Sequence, residues 1–193
     1  GGQRKLAVLA DFVESLALSA WRTGDSFGFV GCDVAVRRDL LLPQTRARGA
    51  GTALAASLRA LTLAGRSAHG LREAHWHLPQ RRALVFLLSD FHLPLADVAA
   101  VLANLALHDV QPVVLWPPGE FDLGAQHGFA DVAEPESGQR RWLWWRPALR
   151  QRWQAAAQER RAALVQLFRA HRLSPLFIEG AFDADAVTRH FMT

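Results

Sequence analysis

The run Arg81-Arg82-Ala83-Leu84-Val85-Phe86-Leu87-Leu88-Ser89-Asp90-Phe91 decides the reading of this chain. Ala83 to Leu88 are all apolar and are bounded by two arginines on one side and by Ser89-Asp90 on the other. Six residues is the length of a core strand and far short of the roughly 18–20 apolar residues that span a bilayer. An unbroken apolar strand belongs inside a parallel sheet covered on both faces, so Ala83–Leu88 is expected to have a paired neighbour on each edge.

Working outward, helical and strand patterns alternate. Lys5 to Trp21 carries apolar residues at Leu6, Leu9, Phe12, Val13, Leu16 and Ala20, the spacing of an amphipathic helix. Gly24-Asp25 turns the chain into a strand over Ser26–Cys32 and a second over Val34–Leu42, close enough to form a hairpin that Pro43 is expected to end. Thr52 stands where a helix of strong formers begins and is placed to cap it. Beyond the central run come a helix over Leu95–Leu107 and a strand over Val110–Trp116. Short strands follow over Gly128–Ala133 and Arg140–Trp145, then a long helix from about Pro147 to Arg172, a strand over Ser174–Glu179 and a last helix over Asp183–Met192. The pattern predicts an α/β fold, a doubly wound and mainly parallel sheet flanked by helices with an antiparallel edge hairpin. No repeat, low-complexity tract or linker interrupts it, so residues 1–193 read as one domain.

Composition narrows the function classes. Half of the 193 residues are apolar and 21% are charged, which suits one folded core. A single cysteine, Cys32, excludes an internal disulfide and any multi-cysteine metal site. The net charge is +4 and Lys5 is the one lysine among 22 basic side chains. This arginine bias, with abundant alanine, is that of a high-GC genome; the sharper alternative is an arginine-rich nucleic-acid-binding domain. No P-loop, Gly-x-Gly-x-x-Gly or Gly-x-Ser-x-Gly motif occurs, and no general base stands beside a nucleophile.

In a doubly wound sheet, ligands gather at the carboxyl ends of the strands, and Asp90 follows the central strand directly. A carboxylate there needs water, a partner or a cation; the plainer alternative is a turn aspartate. Thr52 offers a hydroxyl after a glycine loop, and hard cations take oxygen ligands of these kinds. His75 and His77 could share one side of a strand, but zinc needs three or four ligands and solvated loop histidines are the simpler reading. Trp142, Trp144 and Trp145, among Arg140, Arg141 and Arg146, are candidates for anchoring a protein partner or stacking on bases.

Gly51-Thr52-Ala53-Leu54 and the strand ending Leu88-Ser89-Asp90-Phe91 resemble the second and third parts of the metal-ion-dependent adhesion site of von Willebrand factor A domains. Gly24-Asp25 with Phe27-Gly28-Phe29, the Glu136-Ser137-Gly138 turn before Arg140-Arg141-Trp142, and the closing helix–strand–Asp183–Asp185 pattern resemble the MoxR-associated branch, a bacterial family of unknown function. The site in that family opens with Asp-x-Ser-x-Ser after the first, central strand, whereas this chain goes from Gly1-Gly2-Gln3-Arg4-Lys5 straight into the first helix. The resemblance implies a non-enzymatic, cytoplasmic protein-interaction module working with a MoxR-type AAA+ ATPase. It also implies Mg²⁺ in a complete parent protein, whereas Thr52 and Asp90 form a partial site expected to be empty in this chain. The slot of the central strand is expected to be filled by an upstream segment or by strand exchange with a second copy.

Overall fold

The computed structural model describes residues 2–62, 68–117, 128–133, 140–145 and 147–191, with side chains over 2–62, 68–117 and 151–190. Helix α1 (Gly2–Thr23) buries Leu6, Ala10, Phe12, Val13 and Ala17 and ends at Gly24, whose φ of 78° is the left-handed conformation that closes a helix. Strands β1 (Phe27–Cys32) and β2 (Val36–Thr45) form the antiparallel hairpin. Pairing runs on past Pro43 to Phe27↔Thr45, contrary to the sequence reading. Between Phe29↔Leu42 and that last pair β2 holds one more residue than β1, and such a bulge accommodates a proline that has no N–H to give.

Helix α2 (Ala50–Ala60) is capped by Gly49, not by Thr52, which lies exposed within its first turn. It runs antiparallel to α1. Gly51 sits on Ala17, Arg59 reaches Asp11 and Glu14 at 2.6 and 3.0 Å, and the Gln3 amide donates to Leu61 O at 3.5 Å. A Cβ at Gly51 would lie 2.2 Å from that of Ala17, so the two helices touch through a residue that can have no side chain.

Two 3-10 turns, His69–Arg72 and Ala74–His77, lead to β3 (Leu84–Ser89). After it come α3 (Leu95–Asn104), β4 (Asp109–Leu115), β5 (Gly128–Ala133), β6 (Arg140–Trp145), α4 (Pro147–Ala170), β7 (Leu176–Ile178) and α5 (Ala184–Phe191). Strands β3, β4 and β7 form a parallel sheet in that order, with Leu87 opposite Pro112 and Val114 opposite Phe177. Strands β5 and β6 pair antiparallel, Gly128↔Trp145 through Ala133↔Arg140.

Both faces of the parallel sheet are covered by helices. On one, Leu87, Val110 and Val114 pack with Val98 and Leu102 of α3 and with Leu164 and Phe168 of α4. On the other, Phe12 of α1 meets Val113, Leu115 and Ile178, with edge-to-face contacts to Phe86 and Phe182 at 5.5 and 5.6 Å. Leu9 packs both against that group and against the α1–α2–hairpin core, so α1 bridges the two sheets.

Among the three described strands the interior one is β4. Val113 and Val114 are fully buried, whereas β3 buries only Leu87 and leaves Leu84 60% exposed. Among the described residues one edge of β3 has no strand beside it, and the hairpin forms a sheet of its own. The neighbour expected on that edge, an upstream segment or a second copy, lies outside the described residues.

Candidate functional site

The carboxyl ends of β3 and β4 carry the one elaborately held loop of the described residues, Ser89 to Leu93. Phe91 has a φ of 49°, in the left-handed region that a bulky residue rarely adopts. Its ring is 1% exposed and packs edge-to-face on Phe168 at 5.3 Å, so burial holds the backbone in that strained conformation. The backbone ties are as numerous. Phe91 N donates to Ser89 Oγ at 3.0 Å and His92 N to Asp90 Oδ1 at 3.4 Å. The Trp116 indole, just beyond β4, donates to Asp90 O at 2.8 Å and lies parallel to the His92 ring at 6.3 Å. Arg160 of α4 reaches across to donate to Phe91 O at 2.5 Å and also to Leu93 O.

Asp90 emerges from this frame with its side chain 39% exposed and its Oδ2 2.8 Å from Lys5 Nζ. Burial works against the charged carboxylate, but the Lys5 ammonium and the His92 contacts outweigh it and hold the group below its ordinary range. The sign follows from linkage. The pair contributes stability above the ordinary aspartate pKa and loses it as pH falls through the depressed one.

Thr52 is not part of this arrangement. It starts α2 at the Ala17 end of α1, while Asp90 lies at the Lys5 end, and those two residues are about 18 Å apart along the helix axis at roughly 1.5 Å per residue. The sequence pairing of Thr52 with Asp90 assumed that α2 starts at the carboxyl edge of the sheet; it starts at the opposite edge because the hairpin returns the chain there. The remaining donors do not fit a Mg²⁺ ion, which demands several oxygen ligands in octahedral array. One carboxylate is present, it is already paired with an ammonium, and the described residues hold no cluster of three or more acidic, histidine or cysteine side chains.

His75 Nδ1 donates to Arg72 O, 2.9 Å away, and packs on Trp76, a structural role in a 3-10 turn. The side chains of Trp142, Trp144 and Trp145 lie outside the described residues; their backbone forms β6. Cys32 is half-buried, and burial, with Asp33 and Glu73 nearby, pushes its thiol up to about 11. At about pH 8 its thiolate fraction is then on the order of 0.1%, against about a quarter for an ordinary thiol. The greater nucleophilicity of a basic thiolate recovers part of this, so alkylation by iodoacetamide is expected to run more than about tenfold slower than for a free cysteine peptide. A rate equal to the peptide's would show that the thiol is neither covered nor raised.

Sequence reading missed Lys5, Trp116 and Arg160 as parts of the site. Lys5 alone carried a signal, as the one lysine of an arginine-rich chain. Among the described residues no helix is long and apolar enough to cross a membrane.

Comparison with known proteins agrees with the resemblance at the level of family. Over residues 1–163 the chain matches the family described as "Protein of unknown function DUF58". It is 38% identical over 101 residues to the "Uncharacterized protein in moxR 3'region" of Paracoccus denitrificans, an alignment spanning 52% of this chain and 96% of that protein. No solved structure matches. With residues 1–163 of its 193 inside the family match, the chain belongs to the DUF58 family of proteins of unknown function.

Proposed function

We propose that this chain is a non-catalytic protein-interaction module of von Willebrand factor A-like type, and that its partner is a MoxR-type AAA+ ATPase. The observation that carries the reading is the Ser89–Leu93 loop. A left-handed Phe91, anchored by its own ring, by Trp116 and by Arg160, displays Asp90 and His92 at the carboxyl edge of a parallel sheet. A rigid display loses little freedom on binding, and that preorganisation favours recognition. Binding rather than chemistry is its proposed use. The partner follows from the relative that is named for its place in a moxR 3' region, since neighbouring genes commonly encode proteins that act together. The compartment proposed with such an ATP-driven partner is the cytoplasm. Self-association, where it occurs, is proposed to run along the open edge of β3, which a second copy could extend by one strand.

The Trp142–Arg152 face that the nucleic-acid alternative would use lies, up to residue 150, outside the described side chains; elsewhere several arginines are already engaged. Arg37, Arg59, Arg72, Arg82, Arg161 and Arg189 are each ion-paired within the chain, and Arg160 is spent on backbone carbonyls. A duplex-binding face would leave such groups for phosphates.

Hydrogen exchange tests the reading. Adding the purified ATPase is expected to protect the amides of 89–93 while leaving those of β1 and β2 unchanged. Protection confined to other surfaces would remove the loop from the proposal.

A further inference from the structure

We propose that Lys5 is the built-in cation of this edge, so that the Asp90 loop works with its carboxylate charge balanced by an ammonium and does not recruit a divalent metal. The inference concerns Asp90 and Lys5 themselves and gains its functional meaning from the interaction reading above.

Two observations converge on it. Lys5 Nζ lies 2.8 Å from Asp90 Oδ2, and the Lys5 side chain is 20% exposed against 39% for Asp90. Second, Lys5 is the one lysine where every other fixed cation of the chain is arginine. A guanidinium is a planar fork suited to bidentate pairing, while an ammonium is a compact point charge with three donors, the closer stand-in for a bound metal ion. The other carboxylate oxygen, Oδ1, takes the His92 N–H at 3.4 Å, so both oxygens of Asp90 already have donors from within the chain.

The test follows the Asp90 carboxyl carbon by NMR in the wild-type chain and in Lys5→Met, which keeps the length of the stem and removes the charge. In the wild type, millimolar Mg²⁺ is expected to leave the Asp90 resonance unmoved, and Mn²⁺ is expected not to broaden it selectively. In Lys5→Met the Asp90 titration midpoint is expected to shift upward, and Mn²⁺ is expected to broaden Asp90 more than in the wild type. Selective Mn²⁺ broadening of Asp90 in the wild type would overturn the proposal, as would an Asp90 midpoint that does not move in Lys5→Met. Should Lys5→Met fail to fold, Lys5→Gln with the same readouts decides, and the wild-type Mn²⁺ arm stands by itself. Because none of these measurements involves the ATPase, they fail or succeed separately from the interaction reading.

Discussion

Phe12→Ala is expected to lower the free energy of unfolding by about 3–5 kcal/mol, the range for a fully buried phenylalanine truncated in a core. The Phe12 ring has no exposed surface and is the fully buried side chain by which α1 enters its cluster. It packs on Val113, Leu115 and Ile178 of the sheet and makes edge-to-face contacts with Phe86 at 5.5 Å and Phe182 at 5.6 Å. Two such aromatic contacts are worth about 0.5–1.5 kcal/mol each beyond area burial, which places the effect toward the upper end. For a domain of this size the melting temperature should fall by about 10 °C. The loss is expected to be larger than for the same change at Phe27 or Phe29, which are only partly buried in the hairpin core. A drop of less than about 1 kcal/mol in Phe12→Ala would show that α1 is not what holds the two sheets together.

The second large effect is expected at Arg160, and it separates support of the loop from bulk stability. Its guanidinium donates to Phe91 O and Leu93 O, two carbonyls made available by the left-handed turn at Phe91. Burial pulls the guanidinium below its ordinary pKa, yet arginine stays charged, so these are charge-assisted bonds. Hydrogen bonds of that kind contribute about 1.5–3 kcal/mol each when made by a charged group, less the desolvation that the burial of Arg160 implies. Arg160→Ala is expected to cost about 2–3 kcal/mol overall and to raise amide exchange in 89–93 well beyond that of β4. Arg160→Lys keeps the charge but not the fork, and is expected to recover no more than half of the loss. Exchange in the loop that matches wild type in Arg160→Ala would mean that the ring of Phe91 alone sets its conformation.

Much of this fold is legible in the chain because its signals are periodic or contiguous. The 3.6-residue spacing from Leu6 to Ala20 marked α1, and the apolar runs marked β3 and β4 within a residue of their observed bounds. What was not legible is direction and neighbourhood. An apolar run announces a strand but not which strands stand beside it; among the described strands the interior position is held by β4. Gly51-Thr52 announces a helix start but not which edge of the sheet it faces. That depends on the hairpin returning the chain to the far end of α1, and Thr52 was consequently set beside an aspartate from which α1 separates it. The conformation of Phe91 had no local mark, since nothing in Ser89-Asp90-Phe91-His92 favours a positive φ. It is imposed from Phe168, Trp116 and Arg160, residues distant in sequence. Pro43 misled for the opposite reason: the local rule was right about the missing N–H, but a bulge absorbed it.

The central claim is that the Asp90 loop is a protein-binding surface, and its most direct test is the affinity of the MoxR-type ATPase for the wild-type chain and for Asp90→Ala, with thermal stability followed in parallel. Asp90 is a partly exposed carboxylate at a strand end whose replacement should cost the fold little, on the order of 1 kcal/mol. The expected result is an affinity lowered by at least about tenfold, equivalent to about 1.4 kcal/mol, with a melting temperature within a few degrees of wild type. A folded Asp90→Ala chain that binds the ATPase as tightly as wild type would contradict the account.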